Sequence, residues 1–252
     1  MADLAVKTAL ITGGGSGVGA VMARMLADAG VKVAVSGRRA DVLAEVANHE
    51  NITAIVADVT DETSVRDMFT TMVDVVGTPD LVIANAGMAE SAPVGKTSID
   101  LWSRTIDVNL TGTFLTFREG LAVMDKSRSG RLISIASTAG LKGYAYVSAY
   151  CAAKHGVVGL VKGMAAELAS SAITVNAVCP GFMETPMLEK SVENIVAKTG
   201  MSRDDARASL AKINPQNRFI QPDEVANTVM WLCSANAASV TGQTISVSGG
   251  EI

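Results

Sequence analysis

Val6-Lys7-Thr8-Ala9-Leu10-Ile11-Thr12-Gly13-Gly14-Gly15-Ser16-Gly17-Val18-Gly19 is the stretch on which the reading of the fold turns. Its first half, Val6 to Ile11, is a short and mostly apolar run, as expected of a strand buried in a parallel sheet. The glycines follow at once, and beyond them Val21, Met22, Met25 and Leu26 recur at helical spacing. Strand, glycine loop and helix stand in the order that a phosphate cradle requires. Glycines let the backbone approach a pyrophosphate, and a helix N-terminus offers free N–H groups and the positive end of its dipole. A tight turn would use the same glycines, but the flanking strand and helix favour the cradle.

The alternation continues outward from this unit. Val31 to Ser36 reads as a second strand after the helix stop Gly30, and Asp41 to Ala47 as a helix. Ile52 to Ala57 is a third strand, and Thr60 or Asp61 caps a helix running to about Val76. Leu81 to Ala84 is a fourth strand. Trp102, Ile106, Leu110, Phe114, Phe117 and Leu121 mark one long helix over Leu101 to Met124. A fifth strand runs from Gly130 to Ser137, and a helix carries Tyr150 and His155 to about Ser170. Ile173 to Val178 is a sixth strand, stopped by Pro180–Gly181. Pro222 starts a helix to about Ser234, and Thr244 to Val247 is the last strand. The pattern predicts one doubly wound α/β domain over residues 1–252, with a parallel sheet and helices on both faces. Phe182 to Asn214 is the least regular part, read as a substrate lid over about 183–214 or as a plain pair of surface helices.

Charge and composition narrow the partners. A net charge of −4 gives no reason to expect nucleic acid or an anionic membrane surface. Cys151, Cys179 and Cys233 are odd in number and lack CxxC spacing, so they read as reduced thiols of a cytoplasmic chain. His49 and His155 have no metal-ligand spacing, and no metal is expected. Residues 1–7 are too few and too acidic for a signal peptide, and no apolar run reaches the length of a membrane span.

The candidate chemistry lies at the ends of the strands. The second strand ends at Gly37–Arg38–Arg39, where a carboxylate would accept hydrogen bonds from an adenine ribose. None is present, and two arginines suit a 2′-phosphate instead. Asp58, followed by Val59, could meet the adenine amino group, and Gly87 of Asn85–Ala86–Gly87 permits close passage of backbone past the cofactor ribose. Tyr150 and Lys154 project from one helix face a turn apart. A lysine ammonium at about 4 Å would favour the tyrosinate by up to about 4 kcal/mol, bringing a group with pKa ~10 toward neutrality. Ser137 would hydrogen-bond a substrate oxygen while Tyr150 exchanges its proton. That is the chemistry of carbonyl reduction or alcohol oxidation. Asn109 and Gly112 weaken the long helix in which they sit, which implies a purpose.

Taken together, these motifs resemble the short-chain dehydrogenase/reductase family over essentially the whole chain. They are Thr12-Gly13-x-x-x-Gly17-x-Gly19, Asn85–Ala86–Gly87, Asn109, Ser137, Tyr150-x-x-x-Lys154 and Pro180–Gly181. The resemblance implies a Rossmann-type sheet of seven strands, NAD(P) as cofactor and a homotetramer. It assigns Tyr150 as acid and base, and Lys154 to the nicotinamide ribose and to lowering the tyrosine pKa. Ser137 orients the carbonyl, Asn109 holds a relay water, and Thr185 meets the nicotinamide carboxamide. Gly13, Gly15, Ser16, Gly17, Val18 and Gly19 form the expected phosphate loop.

Closer in pattern are polyketide ketoreductases and 3-oxoacyl reductases, similar in Lys154–His155–Gly156–Val157–Val158–Gly159 and in Ile173 to Phe182. The lid from Glu189–Lys190 also resembles bacterial 3-hydroxybutyrate dehydrogenases. Those enzymes hold a free carboxylate with polar and basic residues where Met88–Ala89, Ala139 and Val147 stand here. The expected substrate is therefore a hydrophobic ketone, such as a β-keto acyl group, bound by Met88, Leu141, Tyr144, Tyr146, Met183, Met187 and Leu188. Arg38 and Arg39 favour NADP(H), with NAD(H) possible, since Ser16 occupies a place that is basic in many NADPH enzymes of the family. The alternatives are an NAD-dependent secondary-alcohol or 3-hydroxyacid dehydrogenase, and a non-catalytic dinucleotide-sensing module.

Overall fold

A computed structural model describes residues 4–252. Residues 1–3, part of the stretch weighed as a leader, lie outside the described residues. Seven strands are formed: β1 (Thr8–Thr12), β2 (Lys32–Gly37), β3 (Ile52–Val56), β4 (Leu81–Ala84), β5 (Gly130–Ile135), β6 (Ile173–Pro180) and β7 (Thr244–Val247). They make one sheet in the order β3-β2-β1-β4-β5-β6-β7, and every pairing is parallel. The chain thus reverses its direction of travel between β1 and β4, which opens a crevice at the carboxyl ends of the strands. Between the strands run α1 (Gly17–Asp28), α2 (Ala40–Val46), α3 (Glu62–Val75), α4 (Ile99–Ile106), α5 (Gly112–Val123) and α6 (Ser148–Glu167). After β6 come α7 (Pro186–Thr199), α8 (Arg203–Ala211) and α9 (Pro222–Leu232).

Alternation along the strands assigns the helices to faces. Ala9, Ile11, Val33 and Val35 pack with α1, α2 and α9, whereas Leu10, Ala34, Val82 and Val175 pack with α3, α5 and α6. Leu188, Val192, Ala206 and Phe219 form a third, small core within α7, α8 and the segment behind them. The lid region is therefore a helix pair with apolar packing of its own. Among the described residues no helix is long and apolar enough to cross a membrane.

Two boundaries differ from the sequence reading for physical reasons. β6 runs on to Pro180, because Cys179 and Pro180 pair with Ser246 and Val247 of β7. The long helix expected over 101–124 is instead α4 and α5 joined by a π-helical turn, Asp107–Thr111. Asn109 occupies that turn, fully buried. Its amide donates to the carbonyls of Met88 and Thr105, both at 2.9 Å, and its oxygen accepts from the Met88 N–H at 3.3 Å. The wider turn re-phases the helix, so Trp102 and Phe114 are 40% and 42% exposed while Phe117 is buried.

Arg131 on β5 was not singled out by its sequence, yet it is 1% exposed. Its guanidinium donates to the carbonyls of Leu232 and Gly130 and to the Ser129 hydroxyl, each at 2.9 Å, and to Ser234 O at 3.4 Å. It thereby answers orphan carbonyls at the C-terminus of α9, where a cation is favoured. Arg131→Met removes charged hydrogen bonds of the kind that contribute about 1.5–3 kcal/mol each. A loss of about 2 kcal/mol should lower Tm by about 4–8 °C in a chain of this size, read by thermal unfolding. An unchanged Tm would show that the buried guanidinium is energetically idle.

Candidate functional site

The cradle forms at the top of β1. Gly13 takes a φ of 65°, in the left-handed region that side chains disfavour. A Cβ on Gly19 would collide with the Gly13 carbonyl oxygen, so helix and loop can approach this closely only with glycine there. Thr12 braces the turn: its hydroxyl oxygen accepts from the N–H groups of Asn85 (3.1 Å) and Ala86 (3.2 Å). The Asn85 amide donates to the carbonyls of Thr12 and Gly13 at 3.0 and 3.1 Å. The Thr-Gly loop and the Asn-Ala-Gly turn, far apart in sequence, are thus one hydrogen-bonded unit.

A cavity of about 930 Å³ opens along the carboxyl ends of the strands from this unit. One end is lined by Gly13, Gly15, Ser16, Gly17 and Val18, with Arg38, Arg39, Asp58 and Val59 beside them. Asn85, Ala86 and Gly87 line its middle, together with Ser137, Tyr150, Lys154, Pro180, Gly181 and Thr185. The far end is walled by Tyr144, Tyr146, Met183, Met187 and Leu188. Cβ-free cradle, helix N-terminus and long cavity together fit a dinucleotide such as NAD(P).

Four expected residues are not part of the cavity wall. Gly19 lies inside α1, and Asn109 is sealed beneath Met88 with its side chain committed to protein groups. Leu141 packs instead against the core on the α6 face, and Met88 presents its backbone to Asn109. Val42, Phe182, Asn194 and Lys198, which the sequence reading did not assign to the site, also line the wall, as do Gly37, Ala139 and Val147, weighed there only for the polar groups they lack. Thr12, directly before the first glycine, had a legible signal. Asn194 and Lys198 had none, since only the fold brings α7 over the loop at Ser91. Asn194 donates to the Ser91 hydroxyl at 2.5 Å and Lys198 to its carbonyl at 3.0 Å, strapping the lid down. Tyr146 sits beside the strap with a φ of 69°, a strained backbone for a bulky residue at the mouth of the site.

The electrostatics of the central groups depart from the sequence reading. Lys154 Nζ donates to Ile135 O at 2.9 Å and stands 5.6 Å from the centre of the Tyr150 ring. Burial pushes the Tyr150 hydroxyl up to about 12, only partly opposed by the neighbouring Ser137 hydroxyl. Burial also brings the Lys154 ammonium down to about 8. Desolvation is thus the dominant influence on the tyrosine pKa in this structure. Ser137 Oγ accepts from the Ala139 N–H at 3.1 Å, which fixes the loop after β5. At the other end Arg38 is 74% exposed and lies 3.9 Å from Asp58, whose carboxylate accepts from the N–H (2.9 Å) and hydroxyl (2.8 Å) of Thr60. Partial burial raises the Asp58 pKa, but the Thr60 hydrogen bonds and Arg38 outweigh it and hold the carboxyl below its usual value. Cys151, Cys179 and Cys233 are all buried and unbridged.

Comparison with known proteins agrees with this geometry. The family profile described as short chain dehydrogenase matches residues 7–195. The D-beta-hydroxybutyrate dehydrogenase of Rhizobium meliloti is 36% identical, across 97% of this chain and 98% of that protein. The 3-oxoacyl-[acyl-carrier-protein] reductase of Synechocystis sp. is 38% identical, across 100% of this chain and 99% of that protein. The crystal structure of a single-substitution variant of actinorhodin polyketide ketoreductase with NADPH superposes with a TM-score of 0.93 at 33% identity, covering 100% of this chain and 99% of that one.

Proposed function

The chain belongs to the short-chain dehydrogenase family, and from that premise we propose that it is an NADP(H)-dependent reductase of a β-keto acyl group or a similarly hydrophobic ketone. The observation that carries this reading is the cavity itself. A dinucleotide cradle, a Ser137–Tyr150–Lys154 cluster and an apolar end lie along one continuous wall. That ketones and secondary alcohols are interconverted by oxidoreductases of this kind follows from the family. The cofactor preference and the substrate are our reading.

When bound, a reduced nicotinamide supplies the hydride that becomes the new C–H bond. Gly13 to Val18 would cradle its pyrophosphate, Asn85 to Gly87 would lie along its ribose, and Thr185 would meet its carboxamide. Tyr150 gives its phenolic proton to the carbonyl oxygen as the alcohol forms. Ser137 hydrogen-bonds that same oxygen and orients it. With its pKa pushed to about 12, Tyr150 is protonated at neutral pH, the form that serves reduction. Lys154, near 8, remains mostly cationic there and steadies the charge that builds up on the tyrosine oxygen. Asn109, to which the resemblance assigns a relay water, also holds the π turn through its side-chain amide, which donates to Met88 and Thr105. The lid at about 183–214 completes a single catalytic domain. Exposed Trp102 and Phe114 on α4 and α5 support assembly as a homotetramer, and three buried thiols support a cytoplasmic setting.

The test is a panel of ketones and alcohols scanned with NADPH and NADH, following nicotinamide absorbance. Bulky ketones and keto thioesters should be reduced with NADPH. Free acetoacetate should show kcat/KM at least about tenfold below its esters, because leaving a carboxylate in an apolar pocket forfeits a charged hydrogen bond. The likeness to hydroxybutyrate dehydrogenases carries the rival reading, and acetoacetate turned over as well as its esters would establish it instead.

A further inference from the structure

Glu251 follows β7, a hundred residues from the catalytic cluster in sequence, and its side chain is 2% exposed. Two groups from the loop after Ser137 converge on it, and a third joins through Tyr144. The Tyr144 hydroxyl donates a short hydrogen bond to Glu251 Oε1, and Lys142 Nζ lies 2.8 Å from the same oxygen. Thr138 Oγ1 is 2.6 Å from the Tyr144 hydroxyl, whose proton is committed to the carboxylate, so Thr138 is the donor. Burial first, and the Glu251 carboxylate second, push the Tyr144 hydroxyl above its usual range, which keeps that proton in place. The chain of contacts runs from Glu251 through Tyr144 to Thr138, the residue next to Ser137.

The other carboxylate oxygen, Oε2, is buried with no hydrogen-bond partner among the described residues. It lies 3.1 Å from where a Cβ on Gly181 would stand, so the carboxylate is wedged against the backbone of the cavity wall. A half-satisfied buried carboxylate is costly and calls for a reason. Its effect is visible in Tyr144, whose ring lines the cavity and meets Phe182 edge-on at 6.1 Å. Lys142 stands 4.9 Å over the same ring, on the side of the ion pair.

We propose that Glu251 is a positioning residue for substrate selection: it fixes the Tyr144 ring against Phe182 and so sets the width of the ketone pocket. The inference rests on the reductase reading for its kinetic readout. Glu251 touches neither cofactor nor reacting atoms and acts through Tyr144. Without it the ring is free to swing, the pocket loses its shape, and bulky ketones are held less well. Small ketones, which do not depend on that wall, are affected little.

The experiment compares Glu251→Ala, Glu251→Gln and Tyr144→Phe with the wild-type chain, with NADPH affinity as the check on folding. Glu251→Ala and Tyr144→Phe should each raise KM for a bicyclic ketone about tenfold, the scale of one charge-assisted hydrogen bond. For Glu251→Ala, which lies outside the binding machinery, kcat for a small ketone should stay within about threefold, too little to reflect a lost acid–base group. Glu251→Gln keeps an acceptor of the same shape for Tyr144 and should restore most of the loss. Equal losses on both ketones, or no rescue by glutamine, would overturn the proposal in favour of a purely structural role; unchanged KM in Glu251→Ala would also overturn it. If the wild-type chain reduces no ketone at all, the reductase reading fails, and amide hydrogen exchange over residues 138–147 decides this inference. Faster exchange confined to that segment in Glu251→Ala, and normal in Glu251→Gln, supports it, whereas unaltered exchange refutes it.

Discussion

Tyr150→Phe is expected to lower kcat by at least about a hundredfold and to leave NADPH affinity unchanged, since positioned acid–base groups contribute about 10²–10⁴-fold. The substitution removes one oxygen from a ring that α6 holds in place, so packing is preserved while the proton donor is lost. No neighbour can replace it. Ser137 is an aliphatic hydroxyl committed to orienting, and Lys154 directs its ammonium to Ile135 O. Steady-state turnover with the best ketone, together with NADPH binding followed by its fluorescence, gives both halves of the result. A phenylalanine variant retaining more than about a tenth of wild-type kcat, far above the expected range, would transfer the acid's role to another group.

The second large effect concerns the cofactor. Arg38 is 74% exposed and held only loosely, 3.9 Å from Asp58, so its guanidinium is free to meet a 2′-phosphate. A charged hydrogen bond contributes about 1.5–3 kcal/mol, which sets a preference for NADPH on the order of ten- to a hundredfold in kcat/KM. Gly37→Asp combined with Arg38→Ile should reverse it. A Cβ at Gly37 would meet only Leu43 Cδ2, at 3.7 Å, so the new aspartate fits without displacing the strand. Its carboxylate would accept from the ribose hydroxyls and repel the phosphate. The ratio of kcat/KM with NADPH and NADH, before and after, is the measurement. A wild-type chain that already prefers NADH would remove the arginine argument and strengthen the dehydrogenase alternative.

Those features were legible because they are local. Thr12 to Gly19, Arg38, Asn85 to Gly87, Tyr150 and Lys154 each sit at the end of a strand or the start of a helix whose pattern is explicit in sequence. A parallel α/β sheet carries such ends to one edge, so finding the strands nearly located the site. The π turn was not legible. Asn109 and Gly112 marked a weak point in the helix, but a widened turn depends on the backbone of Met88, which only the tertiary structure supplies. For the same reason Leu141 and Met88, expected to bind substrate, do not line the cavity: sequence neighbours of a site segment need not face it. The tyrosine pKa was not legible either, because spacing gives the distance to a lysine along a helix, whereas desolvation depends on everything packed around it. Glu251 carried no local signal at all.

The contact between Glu251 and the loop after Ser137 also bears on how the chain is made. Translation delivers the cofactor half first: β1, the glycine loop and the Asn85 turn are all encoded before residue 88. The anchor for Tyr144 emerges only with residue 251. At a synthesis rate of about 5–20 residues per second, roughly ten to thirty seconds separate the two. A nascent or stalled chain on the ribosome would therefore pass through a stage in which the nucleotide cradle is encoded but the cavity wall around Tyr144 is unfinished.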